Sequence, residues 1–251
     1  MTRARTNAIL STKGAVRGSP QIGGHGKLSD TCLQIISDGE ADLIYEILPH
    51  IRVVRAKEFF DPLVKLLNAG SYEQRAAAAA ALGSLGSPEC IEPLRDAFSS
   101  IDLSKKRGAH VLQAAIVTAL GEIPAPVSVK VLNEISAIET VDDTFARRRP
   151  SLIVGALGQL AQQEVLQAEA SLIHFLSDGE PAVRSLAVTE IALAYWHRPN
   201  LISGTLLQQI LDLTGDPSDD VGNAALAALS SLAQLGCHKA EVLIAQAYSE
   251  E

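Results

Sequence analysis

The chain has 251 residues, of which 47% are hydrophobic and 20% are charged, and its formal net charge at pH 7 is −8. This composition excludes an intrinsically disordered chain, which lacks the apolar residues needed for a core. It also excludes an integral membrane protein, because no run approaches the roughly 18 consecutive apolar residues of a membrane-spanning helix. Aromatic residues make up only 4%, whereas alanine and leucine, which lose little freedom in a helix, are abundant. We therefore expect an all-α protein.

Residues 1–28 differ in charge from the rest of the sequence. They contain no acidic residue and five basic ones: Arg3, Arg5, Lys13, Arg17 and Lys27. Residues 29–251 then hold 16 basic and 29 acidic residues, a net charge of −13. We expect a flexible basic N-terminal arm over 1–28 and an acidic folded domain over 29–251. The arm resembles in composition both a disordered tail of a bacterial protein, which we favour, and an organelle transit peptide, which is the alternative.

The domain begins with an irregular helical pair, over roughly residues 29–49 and 55–68. Its segments "LIYEILPHI" and "FFDPLVKLL" carry apolar residues at helical spacing. Terminal repeats of a stack are usually atypical because they cap it. We therefore expect this pair to be an N-terminal repeat.

Five further helical pairs follow at a regular period. Their alanine-rich first segments align, in steps of 38, 37, 34 and 38 residues, on Leu82, Leu120, Leu157, Ile191 and Leu229. Each is followed by a break and a second amphipathic segment, such as "PECIEPLRDAF" or "LISGTLLQQILDL". A period of this length predicts stacked helical hairpins, about six in all with the N-terminal pair.

Three glycines recur at one position inside the first helix of successive repeats: Gly83, Gly121 and Gly158. A glycine inside a helix costs about 1 kcal/mol relative to alanine. Recurrence at that cost predicts that a neighbouring backbone approaches closely at this position. The segment "AAAAAALG" is then the thin face on which the adjacent repeat rests.

The segments "NAGSYEQRAAAAAALGSLGSPECIEPLRDAF", "LSDGEPAVRSLAVTEIALA" and "TGDPSDDVGNAALAALSSLA" resemble HEAT-like repeats, in particular the short type named for phycobilisome lyases. The resemblance covers about residues 68–251 and implies an α-solenoid. It also implies a ladder of Asp and Arg side chains between repeats. Only Arg75 and Arg184 occupy the arginine position, and Gln113, Pro150 and Gly222 replace it elsewhere. We expect an incomplete ladder, with apolar packing between the central repeats.

No arrangement of residues indicates an active site. The six histidines are isolated, and no GxSxG motif, P-loop or dinucleotide-binding loop is present. Cys32, Cys90 and Cys237 lie far apart and form no CxxC pair, which indicates buried, unpaired thiols in a reducing compartment. We expect neither a cofactor nor a metal, and we favour a non-catalytic protein. A metal or cluster site formed by the three cysteines is the alternative, which would need the stack to close, because about five repeats separate Cys32 from Cys237.

The acidic stretch "LDLTGDPSDDVG" holds four aspartates around one turn: Asp212, Asp216, Asp219 and Asp220. Their spacing does not match the 12-residue loop that binds calcium. We assign them to helix capping.

The single tryptophan lies in "LAYWHRPN". Tyr195 and Trp196 are adjacent and cannot both face the same side of a helix. This aromatic pair is either a plug between repeats or an interaction hot spot, and we favour the plug.

Two basic clusters, "SKKRG" and "FARRRP", precede the first helices of consecutive repeats. Equivalent positions in stacked repeats lie side by side, so the clusters should form one patch. The predicted basic patch contains Lys105, Lys106, Arg107, Arg147, Arg148 and Arg149, and is extended by Arg184. A cation at a helix N-terminus is unfavourable by about 0.3 to 1 kcal/mol, because it opposes the helix dipole. Placement at that cost indicates a role in binding. The alternative is a pair of solvated loops, neutralised by Asp102, Asp142 and Asp143.

These features favour a protein-protein interaction scaffold or adaptor. We expect it to bind an acidic surface of a partner protein through a curved repeat surface and the basic patch. A phosphate or carboxylate ligand is an alternative for the patch. Nucleic acid is not expected, because the domain is acidic and no aromatic residues interleave with the basic clusters. The second hypothesis, implied by the resemblance alone, is a phycobilin lyase-like or phycobilisome-associated factor acting on bilin proteins.

Overall fold

The computed structural model describes residues 24–102, 106–138 and 144–249. Over these residues the chain is all-α and contains thirteen α-helices and no strand. In chain order they are α1 (Gly24–Asp38), α2 (Ala41–Val54), α3 (Phe60–Ala69), α4 (Tyr72–Leu85), α5 (Ile91–Ser99), α6 (Lys106–Glu122), α7 (Pro126–Ser136), α8 (Thr144–Gln162), α9 (Leu166–His174), α10 (Pro181–Ala194), α11 (Gly204–Asp212), α12 (Asp219–Gln234) and α13 (His238–Ser249). Residues 1–23 of the predicted arm lie outside the described residues, and residues 24–28 belong to α1.

The helices from α2 onward form six hairpins, which confirms the predicted solenoid. The even-numbered helices from α2 to α12 are the first helices, and each packs along the next one in the stack. The second helices, α3 to α13, form the other layer and touch one another less extensively. Helix α1 packs against α2 and α3, so it extends the layer of second helices by one member.

The N-terminal repeat differs in detail from the expectation of one helix over residues 29–49. The chain breaks instead at Gly39, which adopts a left-handed φ of 68°. Its amide donates to the carbonyl of Ile36 at 3.1 Å and so ends α1. The carbonyl of Gly39 accepts a hydrogen bond from Gln74 Nε2 at 2.8 Å, which ties this break to the next repeat. Apolar spacing continues through the break, which is why the pattern suggested a single helix.

Helix α4 contains the six consecutive alanines and lies between α2 and α6. It begins with a capping box, in which the Ser71 hydroxyl accepts from the Gln74 amide and the Gln74 side chain accepts from the Ser71 amide. It ends at Gly86, which has a φ of 68° and so takes the left-handed conformation that glycine adopts without a Cβ penalty. Nearly every residue from Ala76 to Leu85 is buried, so a helix of small side chains is enclosed on almost all sides.

The recurring glycines lie where the first helices touch, as predicted. A Cβ added to Gly83 would lie 2.7 Å from the Cα of Ala119, and one added to Gly121 would lie 2.8 Å from the Cα of Ala156. A Cβ on Gly158 would overlap the carboxylate of Glu190. Each contact joins a first helix to the next first helix, so the missing side chains set the close spacing of this layer.

One continuous hydrophobic core runs through the described stack from Cys32 to Ala240. Leucines and isoleucines of both layers fill it, and the aligned residues Leu82, Leu120 and Leu157 are fully buried. Each repeat therefore buries its apolar face against its neighbours rather than in a core of its own.

Candidate partner-binding surface

The first cluster of the predicted basic patch falls at the start of α6. Lys105 lies outside the described residues. For Lys106 and Arg107 only the backbone is described, and it forms the first turn of the helix. Because α6 and α8 pack side by side, the start of α6 lies beside the start of α8 in the stack.

The second cluster lies inside α8 rather than before it, because this helix already begins at Thr144. Arg147 and Arg148 are exposed, and Arg149 is half-buried. In the repeat register Arg148 corresponds to Val111 of α6, which is 45% exposed. Arg148 therefore projects from the outer face of the layer of first helices. Two adjacent exposed guanidinium groups on a rigid helix can donate paired hydrogen bonds to carboxylates or phosphates.

Arg184 of α10 is held inside the stack. Its Nε and Nη2 donate to the two carboxylate oxygens of Asp216 at 2.9 and 2.7 Å, and Nη1 donates to the carbonyl of Asp178 at 2.8 Å. Both side chains of the ion pair are largely buried, at 14% and 7% exposure. The hydrogen bonds from Arg184 keep the pKa of Asp216 below its usual value. This pair is one rung of the expected Asp-Arg ladder between repeats.

Arg75 of α4 makes the equivalent connection between earlier repeats. Its Nε donates to the carbonyl of Leu67 at 2.8 Å, and its Nη2 donates to Ser100 Oγ at 3.0 Å. The guanidinium also lies 5.7 Å from the centre of the Tyr72 ring. A hydroxyl replaces the ladder aspartate here, so the rung is formed by hydrogen bonds and stacking rather than by an ion pair.

The ladder is incomplete at the positions where the sequence lacks arginine, as expected. Gln113 is buried, and among the described residues no donor reaches its Oε1 atom. At Gly222, an added Cβ would lie 3.0 Å from the carbonyl oxygen of Thr214, so the glycine leaves room for this close approach. The Gly121–Ala156 contact and its apolar surroundings therefore connect α6 to α8 without an arginine rung.

The aspartates around residue 216 act within the turn that precedes α12. Asp216 Oδ1 accepts the amide of Ser218 at 2.9 Å, in addition to its bond with Arg184. Asp219 and Asp220 occupy the first turn of α12, where negative charge is stabilised by the helix dipole. Asp216 therefore orders the turn before α12, but the N-cap residue of this helix makes no side-chain capping bond. Asp212 lies at the C-terminal end of α11, so helix capping was predicted too broadly.

Tyr195 and Trp196 follow α10, and one is buried between repeats while the other is exposed. Tyr195 is 4% exposed and packs in the core, with the Arg198 guanidinium 5.5 Å from its ring centre. Trp196 is 46% exposed and lines a surface groove of about 510 Å³ with Leu193, His197 and Glu164. Tyr195 is therefore the plug between repeats, and Trp196 is an exposed aromatic side chain of the kind that serves as a binding hot spot.

The three cysteines are buried and unpaired. Burial raises the pKa of the Cys90 thiol to about 12, so this thiol stays protonated at neutral pH. Within the described ranges, no group of three or more His, Cys, Asp or Glu side chains is arranged to hold a metal ion. None of the helices in those ranges is long and apolar enough to cross a membrane.

One surface feature was not predicted from the sequence, a groove over α4 between Tyr45 and Val111. Its floor combines Ala80 of α4 with Ala114 and Ala115 of α6, whereas the other alanines of the run in α4 are buried. No local pattern in the sequence indicates which alanines of two different helices meet at the surface.

The geometry defines this protein as an α-solenoid built from short helical hairpins. Comparison with protein families gives the same result, since the model for HEAT repeats matches residues 60–148. The matched residues run from α3 into the first turns of α8, and the hairpins on both sides continue the same stack. Residues 60–148 are therefore similar to HEAT repeats, and the other hairpins share their helical arrangement. No curated protein matches it at a significant level. The finer resemblance to the phycobilisome lyase type stays a prediction.

Proposed function

We propose that this protein is a non-catalytic scaffold or adaptor that binds an acidic surface of a partner protein. HEAT repeats mediate protein-protein interaction in general. The observation that supports the specific proposal is the placement of Arg147 and Arg148, which are exposed and adjacent near the start of α8. In a domain with a net charge of −13, such a cluster is a local exception that can steer and orient a negatively charged partner.

The proposed binding surface consists of the basic patch on the outer face of the first helices. Arg147 and Arg148 form its described centre, with Lys105, Lys106, Arg107 and Arg149 as further members. The donors of Arg184 are engaged with Asp216 and Asp178, so in this proposal Arg184 supports the neighbouring repeat rather than contacting the partner. A rigid stack adds little ordering cost on binding, which leaves more of the contact energy for affinity.

A pull-down from the native cell extract tests the proposal. The bait is the full chain, beside a patch variant with Arg147→Glu and Arg148→Glu. A matched control carries Lys65→Glu and Lys130→Glu, which make the same change in charge at exposed positions on α3 and α7. We expect one stoichiometric acidic protein to be captured by the wild type and the control and to be lost from the patch variant. Equal capture by all three baits would refute the patch.

The second hypothesis, a phycobilin lyase-like or phycobilisome-associated factor, is supported only by the sequence resemblance. A visible absorbance scan of the same eluates distinguishes it, since a bilin or a bilin-bearing protein would colour the eluate. We propose the cytoplasm as the compartment, because the three free cysteines fit a reducing environment. Organelle targeting through the basic arm is the alternative, and fractionation of the tagged protein separates the two.

A further inference from the structure

A shallow apolar groove runs over α4 on the outer face of the first helices. It has a volume of about 280 Å³ and lies between Tyr45 of α2 and Val111 and Thr118 of α6, with Ala80 of α4 in its floor. The groove exists because small residues of two helices form its floor: Ala80 of α4 and Ala114, Ala115 and Ala119 of α6. Tyr45 and Val111 remain 43% and 45% exposed. Covering this apolar surface would be favourable at roughly 25 cal/mol per Å².

The two ends of the groove differ in charge. At one end, the ion pair between Arg52 and Glu122 bridges α2 and α6. Near the opposite end, two acidic residues are exposed in the first turns of α2 and α4: Asp42 and Glu73. Asp42 lies one helical turn before Tyr45, and Glu73 lies two turns before Ala80 on the same helix face. An occupant should therefore combine small apolar side chains with positive charge beyond them.

The chain itself supplies such a segment, which joins the described structure at Gly24, in the layer of second helices. Residues 1–23 lie outside the described residues, and they lead into α1 at Gly24. Because α1 and α2 form consecutive packed helices, Gly24 is placed towards the end of α2. The hydrogen bond from Ser29 Oγ to Glu58 Oε1, at 3.2 Å, fixes this side of α1 to the turn that follows α2.

The sequence of this segment complements the groove in composition and in order. It contains no acid, and the apolar run Ala8, Ile9 and Leu10 is flanked by basic residues: Arg3 and Arg5 before it, Lys13 and Arg17 after it. The chain between Ile9 and Gly24 can span up to about 50 Å. The groove face of α6 from Val111 to Glu122 is only about 16 Å long. The apolar run can therefore reach the alanine floor, and Arg3 and Arg5 can reach the acidic end.

We propose that the groove over α4 is the docking site for residues 3–17 of the same chain. In this arrangement Ala8, Ile9 and Leu10 contact the alanine floor, and Arg3 and Arg5 lie beside the acidic residues at its far end. Docking of this segment would cover Tyr45 and Val111 and neutralise part of the acidic surface. This groove borders the basic patch, since Arg107 lies one helical turn before Val111 on α6, but the inference does not depend on the proposed partner.

Disulfide trapping in the full chain tests this inference. The native cysteines are buried and provide a silent background. We would pair Ser11→Cys with Thr118→Cys in the groove, and Ser11→Cys with Thr189→Cys as the control. Thr189 is exposed on α10 at the same register position as Thr118, two residues before the aligned Ile191. Oxidised glutathione serves as the oxidant, and circular dichroism checks that both variants keep the helical content of the wild type.

The inference predicts an intramolecular cross-link that forms about tenfold faster for the Thr118 pair than for the Thr189 pair. Adding Arg3→Glu and Arg5→Glu should slow the Thr118 reaction towards the control rate. Equal rates for the two pairs, or no cross-link in either, would overturn the docking site. A cross-link that forms only between molecules and scales with protein concentration would also overturn it, since the occupant would then be a second copy.

Discussion

Arg52 of α2 forms an ion pair with Glu122 of α6 across the intervening helix α4, with its Nη2 2.9 Å from Oε1. The other oxygen of the same carboxylate, Oε2, accepts a hydrogen bond from Ser84 Oγ of α4 at 3.3 Å. One carboxylate thus connects three successive first helices. The contact is possible because Gly83 and the alanines keep α4 thin enough for side chains of its two neighbours to meet above it.

Replacement of this carboxylate, Glu122→Ala, should lower the free energy of unfolding by about 1 kcal/mol. The Arg52 side chain is 57% exposed, which limits the contribution of the ion pair, and the hydrogen bond from Ser84 adds to it. Urea unfolding followed by circular dichroism measures the change. Glu134→Ala is the control, because Glu134 pairs with Arg95 where both side chains are exposed. Equal losses for the two variants would contradict a special role for Glu122.

Substitution of the stacked glycines, Gly83→Ala or Gly121→Ala, should destabilise the protein by about 1 to 3 kcal/mol, although alanine is the better helix former. The new Cβ would meet the backbone of Ala119 or Ala156, which cannot move without separating the helices. Thermal and urea unfolding measure the effect.

Gly155 is the matched control for these substitutions, because it also lies inside a first helix but has nothing within 4 Å of its Cβ position. Gly155→Ala should leave stability unchanged or raise it by up to about 1 kcal/mol. A stabilising Gly121→Ala would show that the first helices are not in close contact at this position.

Much of the fold follows from the sequence because the repeat itself encodes it. The period of about 37 residues, the position of Gly83 and Gly121 and the two ladder arginines all predicted contacts that the structure contains. The break at Gly39 was missed, because the apolar pattern continues through it and the backbone angle alone ends the helix. The bridge from Arg52 to Glu122 was also missed. It joins residues two repeats apart, and no local pattern indicates such a pair.

The Arg184–Asp216 rung should give the protein a defined dependence on pH. The pKa of Asp216 is lowered in the folded protein by the hydrogen bonds from Arg184. A depressed carboxyl pKa adds stability that is fully present above the unfolded value, near 3.9, and is lost as the pH falls through the folded value. Asp216→Asn should therefore lower the urea midpoint at pH 7, and the difference from the wild type should shrink below about pH 4. A difference that stays constant with pH would contradict this assignment.

Glu190 should make the stability of the folded protein depend on pH in the opposite direction. It occupies the register position of Ala119 and Ala156, against Gly158, and burial raises the pKa of its carboxyl. A raised carboxyl pKa makes stability fall as the pH rises from the unfolded value, near 4.3, through the folded value. Glu190→Gln should therefore stabilise the protein at pH 7 and keep a polar contact with Gln162. The gain should vanish as the pH falls towards 4. A loss of stability at neutral pH would show that the charge is favourable at this site.

The affinity of the captured partner, measured against salt concentration, tests the central claim most directly. The claim is that Arg147 and Arg148 steer and hold an acidic partner on the outer face of the first helices. Isothermal titration at about 50 mM and about 300 mM salt would compare the wild type, the Arg147→Glu, Arg148→Glu variant and the Lys65→Glu, Lys130→Glu control. We predict that the Kd of the patch variant is at least about tenfold higher than that of the wild type at low salt, and that this difference shrinks at high salt. The Kd of the control should stay near that of the wild type. Equal weakening of both variants, or no weakening of either, would contradict the claim.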